Sequence, residues 1–250
     1  MHQYSWSDIL FYAGIVLVGT LTLGWVWYTN ASLSVAPPNA GLVPQISNLA
    51  PDPTPIFSDV DLRDPAFPAV MSLVRQGIIQ GYQDQTFRPN APTNRSEALK
   101  ALLKSSPIES GDIFDSFQTY IAKEKDLPFV AFPDVKPTDW FAPYVFKGYT
   151  IGIISGNPTG EYEAYRPIML SEFLKMLLVM ERENIIADDA REIPFEQVPA
   201  HAWYTPYFVR AKEMGLLPLD EEDIVNPSAE LTRGYMTRLL FKYMNLRHAQ

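Results

Sequence analysis

Three stretches of this chain lie over one another without a gap for about twenty-five residues, and a repeat of that kind limits the fold to copies of one small unit. Counted from Phe57, Phe132 and Phe195, each copy has a valine three residues on (Val60, Val135, Val198) and a proline eleven on (Pro68, Pro143, Pro206). At twenty residues each has a glycine followed by two aliphatic residues: Gly77-Ile78-Ile79, Gly152-Ile153-Ile154 and Gly215-Leu216-Leu217. A unit this short cannot bury its apolar face alone, so the copies are expected to share one core.

Each copy reads as two helices joined by a loop. In copy one the first helix is expected from about Asp64 to Gln76, with Pro65 and Pro68 tolerated in the opening turn, where backbone N–H groups lack intrahelical partners. Gly77 ends it by accepting a left-handed conformation, and Gly152 and Gly215 are expected to do the same. The second helix starts after an N-cap: Asn94 with Glu97 three on, Thr232 in copy three, and Ser171 as the start in copy two. Ala98, Leu99, Ala101, Leu102 and Leu103, and likewise Phe173, Leu174, Leu177 and Leu178, recur at helical spacing and form its buried side. Arg88-Pro89, Arg166-Pro167 and Asn226-Pro227 are expected as corresponding loop elements. Residues 105–131 form an insertion in which Ile113, Phe114, Phe117, Tyr120 and Ile121 predict an amphipathic helix of about ten residues.

The repeat also carries motifs. Copy one reads Phe57-Ser-Asp-Val, then Gly77-Ile-Ile-Gln-Gly-Tyr-Gln-Asp-Gln-Thr-Phe-Arg-Pro, then Asn94-Arg-Ser-Glu-Ala-Leu-Lys. Copy two keeps Phe132-Pro-Asp-Val, Trp140-Phe-Ala-Pro-Tyr, Gly152-Ile-Ile-Ser-Gly and Tyr165-Arg-Pro, and copy three keeps Trp203, Gly215-Leu-Leu, Asn226-Pro and Leu231-Thr-Arg. This resembles the surface-layer homology (SLH) domain, with its Phe-x-Asp-Val, Gly-Ile-x-x-Gly-Tyr-x-Asp-Gly-x-Phe-x-Pro and Thr-Arg-Ala-Glu motifs. The resemblance implies a mainly α fold of three helix-loop-helix repeats, at 56–104, 132–186 and 187–250, in a pseudo-threefold bundle decorated by the insertion. It also implies grooves between repeats that hold an anionic cell-wall polysaccharide, often pyruvylated N-acetylmannosamine.

On that resemblance the glycan-binding positions are Arg95, Arg233, Trp140, Trp203, Gly81 and Gly156. Arg95 and Arg233 stand one place after an N-cap, where guanidinium and helix dipole are expected to act together on a ketal carboxylate. Copy two has Leu170 there, which sets its groove apart, and copy three has Gly234-Tyr235 in place of Ala-Glu and Gln197 in place of aspartate, so at most two intact sites are expected. Trp140 and Trp203 stack on sugar in the family; their repeated spacing alone favours core positions. Asp59 and Asp134 are expected to bond backbone within the repeat, a structural role shared with Gly77, Gly152 and Gly215.

The chain ahead of the copies is different material. From Ile9 to Tyr28 there are twenty residues without charge, flanked by Tyr4 and Trp6 on one side and ending in Trp25, Trp27 and Tyr28. That is enough for a helix to cross a hydrocarbon core of roughly 30 Å, with aromatics at both interfaces. A cleaved signal peptide would have a basic n-region, a shorter apolar stretch and a small-residue cleavage site, so residues 1–29 are expected to be a retained transmembrane anchor. Residues 30–55, with six prolines and one charge, Asp52, form a Pro-rich linker. No Lys or Arg precedes Arg63, so the extracytoplasmic placement of the copies rests on the resemblance.

Composition narrows the function classes. There are no cysteines, and the net charge of −9 argues against nucleic acid, whose phosphates need concentrated Lys and Arg. His2, His201 and His248 have no metal-ligand spacing, no phosphate loop or nucleophile elbow is present, and the acidic pairs at Asp188-Asp189 and Asp220 to Asp223 are expected to be solvated. No cofactor, metal or catalytic role is expected. The partners are an anionic wall polysaccharide or an envelope protein, and a lipid bilayer through residues 9–28.

Overall fold

The computed structural model describes residues 56–107, 110–123, 132–183, 185, 195–220 and 223–248. The expected anchor at 9–28, the linker at 30–55, residues 124–131 of the insertion and Asp188-Asp189 lie outside the described residues. Among the described residues there are seven α-helices and no strand: α1 (Phe67–Arg75), α2 (Arg95–Ser105), α3 (Ser110–Lys123), α4 (Ala142–Thr150), α5 (Leu170–Met180), α6 (Thr205–Glu213) and α7 (Arg233–His248). None is long and apolar enough to cross a membrane.

Helices α1, α4 and α6 have nine residues each and carry Pro68, Pro143 and Pro206 in the first two positions. The expected start of α1 at Asp64 is three residues early, because the Asp64 carboxylate accepts from Ala66 N at 2.7 Å and so makes a turn of its own. All three helices stop at a glycine with positive φ, 69° at Gly77, 79° at Gly152 and 69° at Gly215. The next N–H reaches back into the helix, as Ile78 N does to Leu73 O at 2.9 Å, which turns the aliphatic pair into the core.

Helix α2 begins with a complete capping box: Asn94 Oδ1 accepts from Glu97 N at 2.8 Å, and Glu97 Oε2 accepts from Asn94 N at 3.2 Å. Helix α5 starts at Leu170, one residue before the expected Ser171. Its N-cap is Met169, which has no strong acceptor, so only the reciprocal bond from Met169 N to Glu172 Oε2 at 3.0 Å is made. At α7, Thr232 Oγ1 accepts from Tyr235 N at 3.2 Å.

The segments that lead into α2, α5 and α7 are joined in a closed cycle. Thr93 N donates to Leu231 O at 2.8 Å, Leu231 N to Ile168 O at 2.8 Å, and Ile168 N to Thr93 O at 3.0 Å. One step on, the first N–H of each helix is donated to a neighbouring copy's loop: Arg95 N to Arg166 O at 2.9 Å, Leu170 N to Ala229 O at 3.0 Å, and Arg233 N to Ala91 O at 2.9 Å. Helix packing follows the same rotation. Each copy's first helix lies against the preceding copy's second helix, α4 on α2, α6 on α5 and α1 on α7, and not chiefly against its own. The copies therefore interlock around one core that includes Leu73, Leu99, Phe141, Phe173, Phe208 and Leu239.

Helix α3, from the insertion, has fourteen residues against the ten expected, and packs on α4. Ile113 and Phe117 are buried, while Phe114 meets Tyr144 edge-on at 5.7 Å and Tyr120 lies 4.8 Å from Phe146.

Thr93 is fully buried in the backbone cycle, and its Oγ1 has no hydrogen-bond partner among the described residues. The matching positions are Ile168 and Leu231. Valine has the same shape without the desolvated hydroxyl, so Thr93→Val is expected to raise stability by about 1 kcal/mol, read as a higher urea midpoint at unchanged slope.

Candidate functional site

The loops after α1 and α4 are each pinned by an acidic residue from the start of their own copy. Asp59 accepts from Phe87 N and Arg88 N, both at 2.7 Å, and Asp134 accepts from Tyr162 N and Glu163 N, both at 2.8 Å. Arg88 and Glu163 accordingly share a left-handed φ, 59° and 58°. Copy two thus follows copy one at a constant offset, and the expected pairing of Arg88-Pro89 with Arg166-Pro167 is wrong: Arg166 matches Ala91. That frees Arg166 for another task.

Gly81 and Gly156 lie in the same loops and let them fold onto a ring. A Cβ on Gly81 would stand 2.0 Å from Phe57 Cε1, and one on Gly156 3.2 Å from Phe132 Cε1. Above these rings the surface opens into two grooves. The first, of about 230 Å³, is lined by Gln80, Gly81 and Tyr82 of copy one, Glu97 and Lys100 of α2, Trp140 of copy two and Arg233 of copy three. The second, of about 350 Å³, is lined by Ser155, Gly156 and Tyr162 of copy two, Arg166, Glu172 and Lys175, with Arg95 of copy one and Trp203 of copy three. Each groove therefore combines a copy's loop and second helix with an arginine from the preceding copy and a tryptophan from the following one.

In the first groove Arg233 is 8% exposed and donates through Nε to Phe87 O at 3.0 Å and through Nη2 to Gln80 O at 2.9 Å, with its guanidinium 4.9 Å from the Tyr82 ring. Nη1 has no partner among the described residues. In the second, Arg95 donates through Nη2 to Ser155 O at 3.1 Å and through Nη1 to Glu172 Oε1 at 3.2 Å. Glu172 is also clamped by Arg166, at 2.7 Å and 3.0 Å. Burial pushes the Glu172 carboxyl up, but the Arg166 hydrogen bonds, the Met169 N–H and the Arg95 charge outweigh it and hold the group below its ordinary value.

Two expectations are corrected by this arrangement, one on the tryptophans and one on Leu170. Trp140 and Trp203 are not core: they are 45% and 56% exposed, because the next residues, Phe141 and Tyr204, turn inward and leave the indoles edge-on above them. The first N–H of α2 and of α7 is spent on a neighbouring loop carbonyl and is not offered to a ligand. The arginine of a copy serves the next copy's groove, so Leu170 impairs the third position and not the groove of copy two. There Leu170, Ala229 and Tyr235 take the places of Arg95, Arg166 and Glu172, and only a pocket of about 80 Å³ remains. Sequence reasoning also missed Lys100 and Lys175, whose ammonium groups lie 5.4 Å and 5.6 Å from the Trp140 and Trp203 rings. The constant offset between copies one and two, which carries Lys100 onto Lys175, held that signal.

Each groove has one more cation than anion among its lining side chains, Arg233 and Lys100 against Glu97, and Arg95, Arg166 and Lys175 against Glu163 and Glu172. Fixed guanidinium donors, an ammonium and an open aromatic face are the groups that recognition of a small anionic ring requires, in a chain that is acidic overall. Among the described residues no group of acidic or histidine side chains could hold a metal ion.

The fold is a helical, repeat-built module with two grooves of like construction. Residues 56–99 and 131–168 each match the model of the S-layer homology domain, while the stretch from Phe195 onward lies outside both matches. Comparison with curated proteins found no match. Domains of this family mediate attachment to the cell surface or cell wall and are not catalytic, which associates the chain with the cell envelope.

Proposed function

We propose that this protein is a single-pass, membrane-anchored tether that holds the cytoplasmic membrane to an acidic cell-wall or surface polysaccharide. Residues 9–28 span the bilayer, the Pro-rich segment carries the copies outward, and copy three is a diverged third repeat of the same family. The observation that carries this reading is the duplicate construction of the two grooves: arginine, tryptophan and lysine in the same arrangement, each drawn from three different copies. Arginine and lysine supply charge-assisted donors for a carboxylate, and the indole face takes the C–H side of the sugar.

The test is retention of the full-length protein, in detergent, on purified wall glycan before and after chemical removal of its acidic substituents. Removal is expected to weaken binding about tenfold or more, the worth of one charge-assisted hydrogen bond. Equal retention on both forms would reject an acid-specific site. Trp140→Ala and Trp203→Ala change exposed side chains, so each is expected to weaken glycan binding with little change in melting temperature, checked by calorimetry and circular dichroism.

The third position favours a second reading. Leu170, Tyr235 and the exposed Ile224 make it partly apolar, and Glu230 is the one charged residue in its lining, with no cation beside it, the kind of surface that docks protein and not an acidic glycan. A stoichiometric envelope-protein partner together with no glycan retention would make that reading the better one.

A further inference from the structure

Tyr165 lines neither groove but has neighbours in both, and the surface it occupies is called here the ridge between them. Its ring is 68% exposed, and its hydroxyl makes no hydrogen bond to the described residues. The ring stands edge-on to Phe141 at 5.5 Å and 87°, and Phe141, itself buried, holds Trp140 of the first groove edge-on at 5.4 Å and 88°. On the other side Glu163 and Arg166, close neighbours of Tyr165 in sequence, line the second groove. Tyr165 is therefore joined to the first groove by ring contacts and to the second by the chain itself, with the Trp140 and Tyr165 ring centres at most about 11 Å apart.

We propose that Tyr165 is a sugar-stacking platform that lets one acidic polysaccharide strand occupy both grooves at once. The inference rests on the glycan reading of the grooves. Its basis is where the aromatic residue occurs. The ridges that flank the third position carry Asn90 and Ser228 at the equivalent places, and the third position has no arginine and no tryptophan. An exposed tyrosine is found on the one ridge of the three that lies between two equipped grooves. An acidic polymer alternates charged groups with neutral ring faces, and the surface has the same alternation: a cationic groove, a neutral aromatic ridge, a cationic groove. A strand held at one groove meets the other at high effective concentration, and the ridge lowers the cost of crossing between them.

The experiment titrates the full-length protein in detergent micelles with fragments of a carboxylate-bearing wall polysaccharide, of one repeat unit and of four or more, by calorimetry. Single units are expected to bind two per protein. Long fragments are expected to bind one per protein and about tenfold tighter or more. Tyr165→Ala is expected to reduce the long-fragment affinity about fivefold while Tyr165→Phe keeps it, with the loss confined to long fragments. Long fragments that bind two per protein at the single-unit affinity, or a length gain that survives in Tyr165→Ala, would overturn the bridge and leave the grooves standing. No binding by any fragment would overturn the groove reading, and the bridge with it.

Discussion

Replacing Gly81 by alanine is expected to lower stability by about 3 kcal/mol, the upper end of what overpacking a filled core costs. The new methyl would meet Phe57 at three ring atoms, 2.0 Å from Cε1, 2.6 Å from Cζ and 2.8 Å from Cδ1. The ring has little room to swing away. Phe57 is buried and lies 5.6 Å from Phe87, which is fully buried and whose backbone is tied to Asp59, two residues beyond Phe57. The equivalent Gly156 is looser, with contacts of 3.1 Å to Gly160 C and 3.2 Å to Phe132 Cε1, so Gly156→Ala is expected to cost only about 1 kcal/mol. Urea unfolding of the two variants tests the ordering. Phe57→Leu in the Gly81→Ala background is expected to recover part of the loss, because it removes the colliding atoms. Equal losses at both glycines, or no recovery in the double variant, would mean that ring packing is not what makes these loops require glycine.

Where a residue's role depends on its own copy, it was legible in the sequence. A helix that ends at Gly77 needs only the preceding turn, and the Asn94–Glu97 box only four consecutive residues, so periodicity and capping rules reach them directly. The grooves were not legible in that way, because each is assembled from three copies and the linear order does not state which neighbour a side chain will serve. Arg95 belongs to α2 but bonds Ser155 O and Glu172 of copy two, and Leu170 belongs to α5 but faces the pocket of copy three. The handedness of the backbone cycle through Thr93, Leu231 and Ile168 decides this, and it arises only when the copies close on one another. Trp140 and Trp203 show a further limit: repetition at fixed spacing marks a position that the unit reuses, and a reused position can be a binding surface as readily as a core. The SLH resemblance pointed to Arg95, Arg233, Trp140 and Trp203, and the structure gathers them in two grooves with Lys100, which ends the copy-one motif without a role of its own, and Lys175.

Glu172→Gln is expected to move stability and anion affinity in opposite directions. Glu172 Oε1 accepts from Arg166 Nη2 at 2.7 Å and Arg95 Nη1 at 3.2 Å, and Oε2 accepts from Arg166 Nη1 and Met169 N, both at 3.0 Å. Glutamine can keep one oxygen but turns an N–H₂ toward a guanidinium, which leaves Arg95, 12% exposed, without its counter-charge and Arg166, 32% exposed, with Glu163 alone. Breaking a fully buried pair costs about 3–5 kcal/mol, and partial solvent access here reduces the expected loss to about 2 kcal/mol. The pH dependence has a definite sign. The folded carboxyl is held below its ordinary value, so its contribution is complete above the unfolded-state pKa, about 4.3, and is lost as pH falls through the lower folded value. The stability gap between wild type and variant should therefore close in acid. Affinity responds the other way, because the second groove gains one net positive charge at the two arginines nearest an incoming carboxylate, and a single-unit acidic glycan is expected to bind there about five- to tenfold tighter. The first groove does not include Glu172 and should keep its affinity, which gives calorimetry an internal control. A variant that loses stability and affinity together would show that Glu172 serves the site by positioning Arg95 and Arg166, whereas tighter binding in a weaker fold identifies Glu172 as the intramolecular competitor that the glycan carboxylate displaces.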